Sequence, residues 1–346
     1  VGTLGTFINN ELVFQNQLTT EEPTYIRSFL DVCNKKNIDK VLFEASSIGI
    51  DQGRLDGMPI KHAVYLNLSR DHLDYHRNYE SYLQAKRRLI ENEELETLVF
   101  NADQPEFIDS LSNSNAKDVF QISNRNKSAD IFYEIKNCDL TGNMKFIART
   151  PWGEFDAEAK ILTEYNIFNL LASLPYFYSI GGDVPSFFQS LSSLSLPEGR
   201  LQKINERPIY IDYAHTPHAL EQACKSLKNH ENKLILVFGA GGDRDTGKRK
   251  QMGEVADRYA DEIIVTSDNP RNEDPAKIAD MIIDGISNES KIHIELDRSK
   301  AISRAIDKMD GTSTLLVCGK GHEKNQIIGN NKFFFSDKEE IIKCIN

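Results

Sequence analysis

Four segments in the second half of the chain combine glycine, charged residues and histidine in patterns suited to binding a charged ligand. They are Asp212–His215 (Asp-Tyr-Ala-His), Gly239–Arg244 (Gly-Ala-Gly-Gly-Asp-Arg), Asp268–Arg271 (Asp-Asn-Pro-Arg) and Gly319–Glu323 (Gly-Lys-Gly-His-Glu). Each follows a short apolar run, and ligands of open α/β sheets bind at the carboxyl ends of the strands. One such segment alone is most often a polar surface loop, but four at one sheet edge predict a site.

A second group of reactive side chains lies in the first half. Glu44 ends a predicted buried strand, Val41–Ala45, where a carboxylate could meet a hard cation. The segment Asn67–His76 is dense in oxygen and imidazole groups, although a solvated loop could have the same composition. Lys86 lies on a predicted helix, Tyr79–Ile90, and a lone helical lysine is nearly always solvated surface.

Two glycine patterns resemble nucleotide-binding loops without matching them. Gly242–Lys248 has the spacing of a phosphate-binding loop, but Arg249 stands where the hydroxyl that binds magnesium is needed. In the run that begins at Gly239, Arg244 occupies the position of the last glycine of a dinucleotide fingerprint. The sequence therefore gives little support to a nicotinamide-dependent oxidoreductase.

Alternating strands and helices are predicted to position the four loops of the second half. The predicted strands are Ile209–Ile211, Leu234–Phe238, Ile263–Thr266, Ile292–Glu295 and Leu315–Cys318. Helical spacing follows Asp274-Pro275 and Asp297, which we interpret as helix N-termini. Such alternation predicts a mostly parallel, doubly wound sheet.

The first half is predicted to mix strands and helices in a separate domain. Its further elements are strands at Ala63–Leu68 and Leu98–Asn101, a β-rich region over residues 130–162, and helices at Tyr165–Tyr178 and Pro185–Leu194. Pro197 and Gly199 then interrupt the pattern. We therefore predict domains at residues 1–197 and 198–346.

Composition excludes several classes of function. No apolar run approaches the roughly 20 residues of a membrane helix, and no signal-peptide pattern is present. The five cysteines lack the spacing of a zinc site or a disulfide framework, and the net charge of −11 argues against nucleic-acid binding. We expect a cytoplasmic protein that neither enters a membrane nor binds nucleic acid. A monomer is expected too, although the composition does not bear on the oligomeric state.

The ordered set of motifs resembles the Mur ligases, and within them the type that adds meso-diaminopimelate to UDP-MurNAc-L-Ala-D-Glu. The set is Glu44-Ala-Ser-Ser, Asn67–His76, Ala85-Lys86, Asp212–Pro217, Gly241–Arg249, Asp268–Arg271 and Gly319–Glu323. The resemblance covers residues 1–337. It implies a central ATPase domain with a mixed or parallel sheet, followed by a Rossmann-like domain that binds the amino acid.

The resemblance also implies the roles of individual residues. Mg²⁺ would be held by Glu44, His72 and a carbamylated Lys86, whose modification needs a neutral amine. Residues implied to bind the UDP-MurNAc-dipeptide are Thr19, Thr20, Ser46, Gln52 and Arg54. Residues implied to bind ATP are Asn166 or Asn169, Asp212 and His215 near the adenosine, and Arg200 near the phosphates. Catalysis is assigned to Lys86, Glu44, His72 and Arg200.

In this family Asp-Asn-Pro-Arg accompanies meso-diaminopimelate. The residues implied to bind this amino acid are Arg244, Asp268, Asn269, Pro270, Arg271, Gly319 and Glu323. A guanidinium at Arg271 could bind the distal carboxylate bidentately, and Glu323 could accept from an ammonium group. Lysine lacks that carboxylate and would leave buried groups unpaired, so we expect it to be rejected strongly.

Mur ligases of this type also carry an N-terminal domain that binds the uridine nucleotide, and a Gly-Thr-x-Gly-Lys-Thr loop. Neither is in the printed sequence, and the first strand and helix of the central domain are absent with them. We therefore expect a fragment of a longer gene product. The activity is expected of the complete protein, and that of this chain alone is doubtful.

Three other interpretations remain open at this point. The nearest is a ligase of the same superfamily that adds lysine, D-Ala-D-Ala or glutamate. The second is a truncated relic that binds the amino acid without catalysis. The third is the oxidoreductase, which predicts nicotinamide binding. An amino-acid-dependent release of phosphate distinguishes the first from the target reaction, and calorimetry with magnesium-ATP tests the second.

Overall fold

The computed structural model describes residues 1–108, 113–138, 143–161, 163–194, 196–228 and 231–346. The chain divides into two units, each built from several segments. Unit 1 comprises Val1–Leu68, Tyr75–Phe132 and Leu171–Gly182, and unit 2 comprises Ser69–Asp74, Tyr133–Leu170 and Asp183–Asn346. The domain boundary predicted between residues 197 and 198 stays a prediction.

Unit 1 contains an antiparallel hairpin and a set of parallel strands. The strands in this part of the chain are β1 (Thr6–Ile8) and β2 (Glu11–Phe14), which form the hairpin, then β3 (His62–Tyr65), β4 (Thr97–Asn101), β5 (Asp118–Ser123) and the start of β6 (Ile131–Cys138), which pair in parallel. The helices are α1 (Pro23–Lys35), α2 (Ser47–Asp51), α3 (Leu73–His76), α4 (Tyr79–Arg87) and α5 (Pro105–Ile108). The predicted strand Leu98–Asn101 and helix Tyr79–Ile90 are confirmed with small shifts at their ends, whereas the strand predicted over Ala63–Leu68 ends at Tyr65.

The predicted buried strand at Val41–Ala45 is wrong. This segment is irregular, and none of its residues is buried. Among the described residues its backbone-to-backbone bonds are those with Val1, where Val1 N donates to Leu42 O at 2.8 Å and Glu44 N donates to Val1 O at 2.8 Å. A strand needs a continuous ladder on a neighbouring strand, which two bonds to one residue do not form. Apolar residues alone therefore misled the prediction.

Unit 2 contains the predicted doubly wound sheet. Its strands are ordered β13-β12-β11-β14-β10-β9, all parallel except β9 at the edge. Their bounds are β9 (Gln202–Lys203), β10 (Ile209–Asp212), β11 (Lys233–Phe238), β12 (Glu262–Val265), β13 (Ile292–Ile294) and β14 (Ser313–Cys318). The predicted strands and the fold class are confirmed.

Two hairpins and several helices complete this part of the chain. The hairpins join β7 (Asn143–Thr150) to β8 (Gly153–Lys160), and β15 (Asn325–Ile328) to β16 (Asn331–Phe334). The helices are α6 (Glu164–Ser179), α7 (Val184–Ser190), α8 (Pro217–Leu227), α9 (Gly247–Tyr259), α10 (Pro275–Ile283), α11 (Arg298–Asp307) and α12 (Asp337–Ile345). The predicted β-rich region is confirmed as β6, β7 and β8, although residues 139–142 and 162 lie outside the described residues. None of the described helices is long and apolar enough to span a bilayer.

Both faces of the unit 2 sheet are buried. On β11, Leu236 and Phe238 join one apolar core with Met252 of α9, whereas Ile235 and Val237 join another with residues of α11. Because strands alternate their side chains between the two faces, a sheet covered on both sides requires apolar residues throughout. This requirement explains why short apolar runs predicted these strands correctly.

A buried ion pair joins the last two helices to the carboxyl edge of this sheet. Arg298 of α11 and Asp337 of α12 are at most 1% exposed, and two guanidinium nitrogens donate to the carboxylate at 2.7 and 2.8 Å. The same guanidinium donates to Cys318 O at 2.8 Å and to Ser267 O at 3.4 Å. It therefore fixes the backbone where two of the predicted ligand loops begin.

We expect Arg298→Met to lower the free energy of unfolding by about 3–5 kcal/mol, because it leaves the Asp337 carboxylate buried without its partner. Urea denaturation measures the loss. Removing both charges in Arg298→Met/Asp337→Leu should recover part of it. Arg258→Met, at an exposed pair with Glu221, should cost about 1 kcal/mol or less. An unchanged urea midpoint for Arg298→Met would contradict the structural role.

Candidate active site

In unit 1, two predicted substrate residues fix the backbone around Glu44. Thr20 is 1% exposed, and its hydroxyl donates to Glu44 O at 2.8 Å and accepts from Ser46 N at 2.9 Å. The Ser46 hydroxyl lies 3.1 Å from that of Thr20 and caps α2 by accepting from Gly49 N at 3.0 Å. These hydroxyls hold Glu44 at a defined place ahead of a helix N-terminus.

Thr3 completes this group and was missed by the sequence prediction. Its backbone N and its Oγ1 donate to Glu44 Oε2 at 2.8 and 2.9 Å, and its Oγ1 lies 2.9 Å from Thr19 Oγ1. The Gly-Thr repeats of Val1–Thr6 were the available signal. Among the described residues, Glu44 Oε1 has no hydrogen-bond partner, so this oxygen can face a cation or a substrate donor.

Arg54 joins two further residues of the predicted substrate set. Its Nη1 donates to Thr20 O at 2.6 Å, its Nη2 donates to Gln52 Oε1 at 2.5 Å, and Nη2 lies 3.4 Å from a carboxylate oxygen of Glu22. Its Nε is buried without a hydrogen-bond partner in the described part of the chain. The sequence prediction therefore grouped residues that are neighbours in unit 1.

Lys86 on α4 is directed at the same segment. Its side chain is half-buried, and Nζ donates to Ala45 O at 3.2 Å, one residue after Glu44. A solvated surface lysine would not make such a contact 41 residues away in sequence. The position suits a group that acts beside Glu44.

In unit 2, Asp71 lies beside three basic side chains. The Nε2 atoms of His72 and His215 each lie 3.6 Å from Asp71 Oδ2, and the ammonium of the buried Lys248 lies 3.8 Å from Oδ1. His215 Nδ1 lies 2.9 Å from Tyr213 O, which can only accept, so this nitrogen carries a proton. Burial raises the pKa of Asp71, but the imidazoles and the Lys248 ammonium outweigh it and hold the pKa well below its usual range.

Some of the predicted nucleotide-binding residues have polar groups left for a ligand, whereas the carboxylate of Asp212 is bound to the protein backbone. Asn166 at the start of α6 has a buried Nδ2 with no acceptor among the described residues, and Asn169 is exposed one turn later. Arg200 lies over the Tyr213 ring at 4.7 Å, with its cation available to an anion. The Asp212 carboxylate instead accepts from two backbone amides at 2.7 Å each, so its contacts are with the protein.

Burial raises the pKa of Asp212, although those two amides oppose the rise. The amides belong to Leu201 and Ala214, which flank Arg200 and His215 in sequence. Asp212 therefore acts on this region by holding the backbone of two loops. Its predicted position near the adenosine stays a prediction.

The loops Gly239–Arg244 and Asp268–Arg271 are bound to each other. Gly242 N donates to Asn269 O at 2.9 Å, and Arg271 Nη1 donates to Gly242 O at 2.8 Å. A Cβ on Gly242 would lie 1.9 Å from Pro270 O, so glycine is required for this approach. Arg271 has a left-handed backbone, with φ of +49°, held by its pairing with β15.

The loop after β14 packs against the same turn. Asn269 Nδ2 donates to Glu323 Oε2 at 3.0 Å. Gly319 has φ of +113°, and a Cβ there would lie 2.3 Å from the carboxylate of the buried Asp268. The structure thus brings together the predicted amino-acid residues of both loops.

Two arginines of the Gly241–Arg249 segment have different environments. Arg244 is exposed at its side chain and donates to Asp74 Oδ2 at 3.1 Å. Arg249 is fully buried, and its guanidinium binds both Glu273 oxygens at 2.7 and 2.8 Å and Gly241 O at 3.1 Å. A phosphate-binding loop has a hydroxyl at the Arg249 position, so the structure supports the interpretation that this is not one.

The predicted magnesium ligands are divided between the units, with Glu44 and Lys86 in unit 1 and His72 in unit 2. No group of three or more His, Cys, Asp or Glu side chains in the described ranges could hold a metal ion. Magnesium commonly takes one or two protein ligands and completes its shell with water and phosphate oxygens. The predicted ligand set stays a prediction.

Comparison with known proteins identifies the class of enzyme. The family model described as "Mur ligase middle domain" matches residues 1–176, and the one described as "Mur ligase, glutamate ligase domain" matches residues 199–321. The chain belongs to the Mur ligase family, whose members are ATP-dependent ligases. The suspected resemblance is therefore confirmed.

Its relatives narrow the class further. A protein of Rickettsia montanensis named UDP-N-acetylmuramoyl-L-alanyl-D-glutamate–2,6-diaminopimelate ligase is 38% identical over 100% of this chain and 73% of its own length. A protein of the same name from Haemophilus influenzae is 35% identical over 98% of this chain and 70% of its own length. A solved structure titled with that enzyme name is 35% identical, with a TM-score of 0.66 over 100% of this chain and 72% of its own.

Gly319→Ala should destabilise the protein by about 1–3 kcal/mol, because the new methyl group meets Asp268 and the backbone is strained for alanine. Urea denaturation measures the cost, and calorimetry should show weaker amino-acid binding. Gly311→Ala is the matched control, since a Cβ there meets nothing within 4 Å. Equal stability of the two variants would contradict the contact.

Proposed function

We propose that this chain carries the catalytic machinery of an ATP-dependent ligase that adds meso-diaminopimelate to UDP-MurNAc-L-Ala-D-Glu in peptidoglycan precursor synthesis. The relatives named for this reaction support the proposal across the whole chain. The observation that carries it is that the loop Asp268–Arg271 is hydrogen-bonded to both Gly242 and Glu323, which brings Arg271, Asn269 and Glu323 together. We also propose that the protein is cytoplasmic, since its five cysteines are unpaired and two of the substrates are nucleotides or nucleotide-linked. A monomer is proposed as well, without an observation that bears on it.

The reaction has two steps. ATP transfers its terminal phosphoryl group to the side-chain carboxylate of the substrate's D-glutamate, giving ADP and an acyl phosphate. The neutral amine of diaminopimelate then attacks the acyl carbon, and the tetrahedral intermediate expels phosphate as the amide forms. Negative charge develops on oxygen in both steps, so fixed cations and N–H donors are the main catalytic requirement.

Arg200 is a suitable cation for the phosphate oxygens. Its guanidinium is oriented by the Tyr213 ring, which leaves the N–H edges available to anions. The buried Nδ2 of Asn166 lacks an acceptor among the described residues, and a nucleotide acceptor would satisfy it. These two observations support ATP binding near the start of α6.

In unit 1, Glu44 and a carbamylated Lys86 would hold magnesium, and His72 of unit 2 stays a predicted ligand. The fit rests on donor chemistry, because carboxylate and carbamate oxygens are the hard ligands that this ion prefers. It also rests on Glu44, whose Oε1 is left without a partner in the described part of the chain while Thr3 holds Oε2. Bound magnesium would neutralise phosphate charge.

Selection of the amino acid is assigned to Arg271. One of its nitrogens donates to Gly242 O, and its other N–H groups have no acceptor among the described residues. A planar guanidinium can bind a carboxylate through two parallel hydrogen bonds. Diaminopimelate has such a carboxylate at its far end, and lysine does not.

Arg271→Ala should lower kcat/KM for diaminopimelate, with a loss of transition-state stabilisation of about 2–5 kcal/mol. The kcat/KM for lysine should change much less. Phosphate release from the protein, measured with each amino acid, gives the preference. Arg304→Ala, at an exposed arginine of α11, is the control. A preference that survives Arg271→Ala would contradict the assignment. Diaminopimelate binding without any phosphate release would instead identify a non-catalytic relic.

Lys86→Met should lower kcat by about 10²-fold or more, because it removes the group that carbon dioxide would modify. Wild-type activity should fall when bicarbonate is removed and recover when it is returned. Lys61→Met is the control, since Lys61 is exposed and pairs with Glu96 at 3.0 Å. Activity that is indifferent to bicarbonate would count against carbamylation.

A further inference from the structure

Lys320 is a fully buried lysine between the two loops of the proposed amino-acid site. It follows Gly319 after β14 and has 0% exposure. Lysine is almost never fully buried unless its ammonium is paired, because removing the charge from water is costly. Its contacts therefore indicate what the position requires.

The ammonium fixes the orientation of the Asn269 amide. Asn269 Oδ1 accepts from Lys320 Nζ at 3.1 Å and from Ile327 N at 3.0 Å. Two donors on one oxygen identify it as the carbonyl end of the side chain. The NH₂ end must then point to Glu323, where Nδ2 donates to Oε2 at 3.0 Å.

The same ammonium holds one oxygen of Glu323. Lys320 Nζ lies 3.3 Å from Oε2, which thus accepts from both Lys320 and Asn269. Oε1 makes no hydrogen bond to any described residue, and the Glu323 side chain is 33% exposed. One oxygen of this carboxylate is therefore fixed inside the protein and the other is left for a ligand.

We propose that Lys320 is a positioning residue for amino-acid selection. It clamps Asn269 and Glu323 so that Glu323 Oε1 meets the ammonium of the incoming diamino acid in a preset geometry, and it does not touch the substrate itself. This inference rests on the proposed function. A flexible carboxylate would have to be ordered on binding, which weakens affinity, and the clamp removes that cost.

Kinetics of the Lys320→Met variant of the protein test the clamp. The variant keeps the length of the side chain and removes the charge. We expect KM for diaminopimelate to rise about ten-fold or more, with KM for ATP and kcat at saturation changed by about two-fold or less. A merely structural role would lower kcat and affect all substrates alike.

A double-mutant cycle distinguishes loss of the contact between Lys320 and Glu323 from a general loss of structure. Once Glu323→Gln is present, Lys320→Met should raise KM for diaminopimelate by only about two-fold further, because both changes disturb one contact. Additive effects would overturn the proposal. Asn269→Asp is nearly isosteric and places an oxygen against Glu323, so it should also raise KM for diaminopimelate, and it decides the matter if Lys320→Met does not fold.

The activity of the wild type distinguishes a failure of the clamp from a failure of the proposed function. If the wild type releases phosphate with diaminopimelate while Lys320→Met and Asn269→Asp leave its KM unchanged, the clamp alone is wrong. If the wild type releases no phosphate with any amino acid, the proposed function fails and the clamp fails with it.

Discussion

The carboxyl edge of the unit 2 sheet depends on the buried guanidinium of Arg298. Arg298 reaches from α11 to the carbonyls of Ser267 and Cys318, the last residues before Asp268 and Gly319, and Asp337 neutralises it from the first turn of α12. A planar guanidinium can serve a carboxylate and two carbonyls at once, which an ammonium on a flexible stem cannot do with the same directionality. Loops that carry little regular structure thereby start from fixed points.

The same pairing recurs at the other buried cations that the structure describes in unit 2. Each buried cation has a carboxylate partner; the pairs are Arg298–Asp337, Arg249–Glu273, Lys320–Glu323 and Lys248–Asp71. The net charge of −11 therefore describes the whole chain and not the site. Arg200 and Arg271 have guanidinium N–H groups without a carboxylate partner among the described residues, so these local cations can attract phosphate and carboxylate groups. Screening confines the opposing effect of distant acidic residues to short range.

The sequence predicted those features that depend on residues close together in the chain, and it failed where a feature depends on distant residues. Strands such as Leu234–Phe238 were predictable because burial on both faces leaves an apolar run, and the Asp274 cap because its bond to Ala276 N spans two residues. Val41–Ala45 misled because pairing depends on partners elsewhere in the chain. Thr3 and Lys320 were missed because their roles exist only through Glu44 and Asn269, which are distant in sequence. The proposed roles of the site residues came from the family resemblance, since spacing alone left alternatives open.

The left-handed backbone of Arg271 has a consequence for protein engineering. Glycine and asparagine occupy such a conformation at little cost, whereas an arginine there stores strain that the surrounding turn must hold. Selection for heat resistance alone would therefore favour replacing this arginine, and under the selection role proposed for Arg271 the more thermostable enzyme would be the less discriminating one. Thermal stability and the proposed amino-acid selectivity would therefore place opposite demands on residue 271.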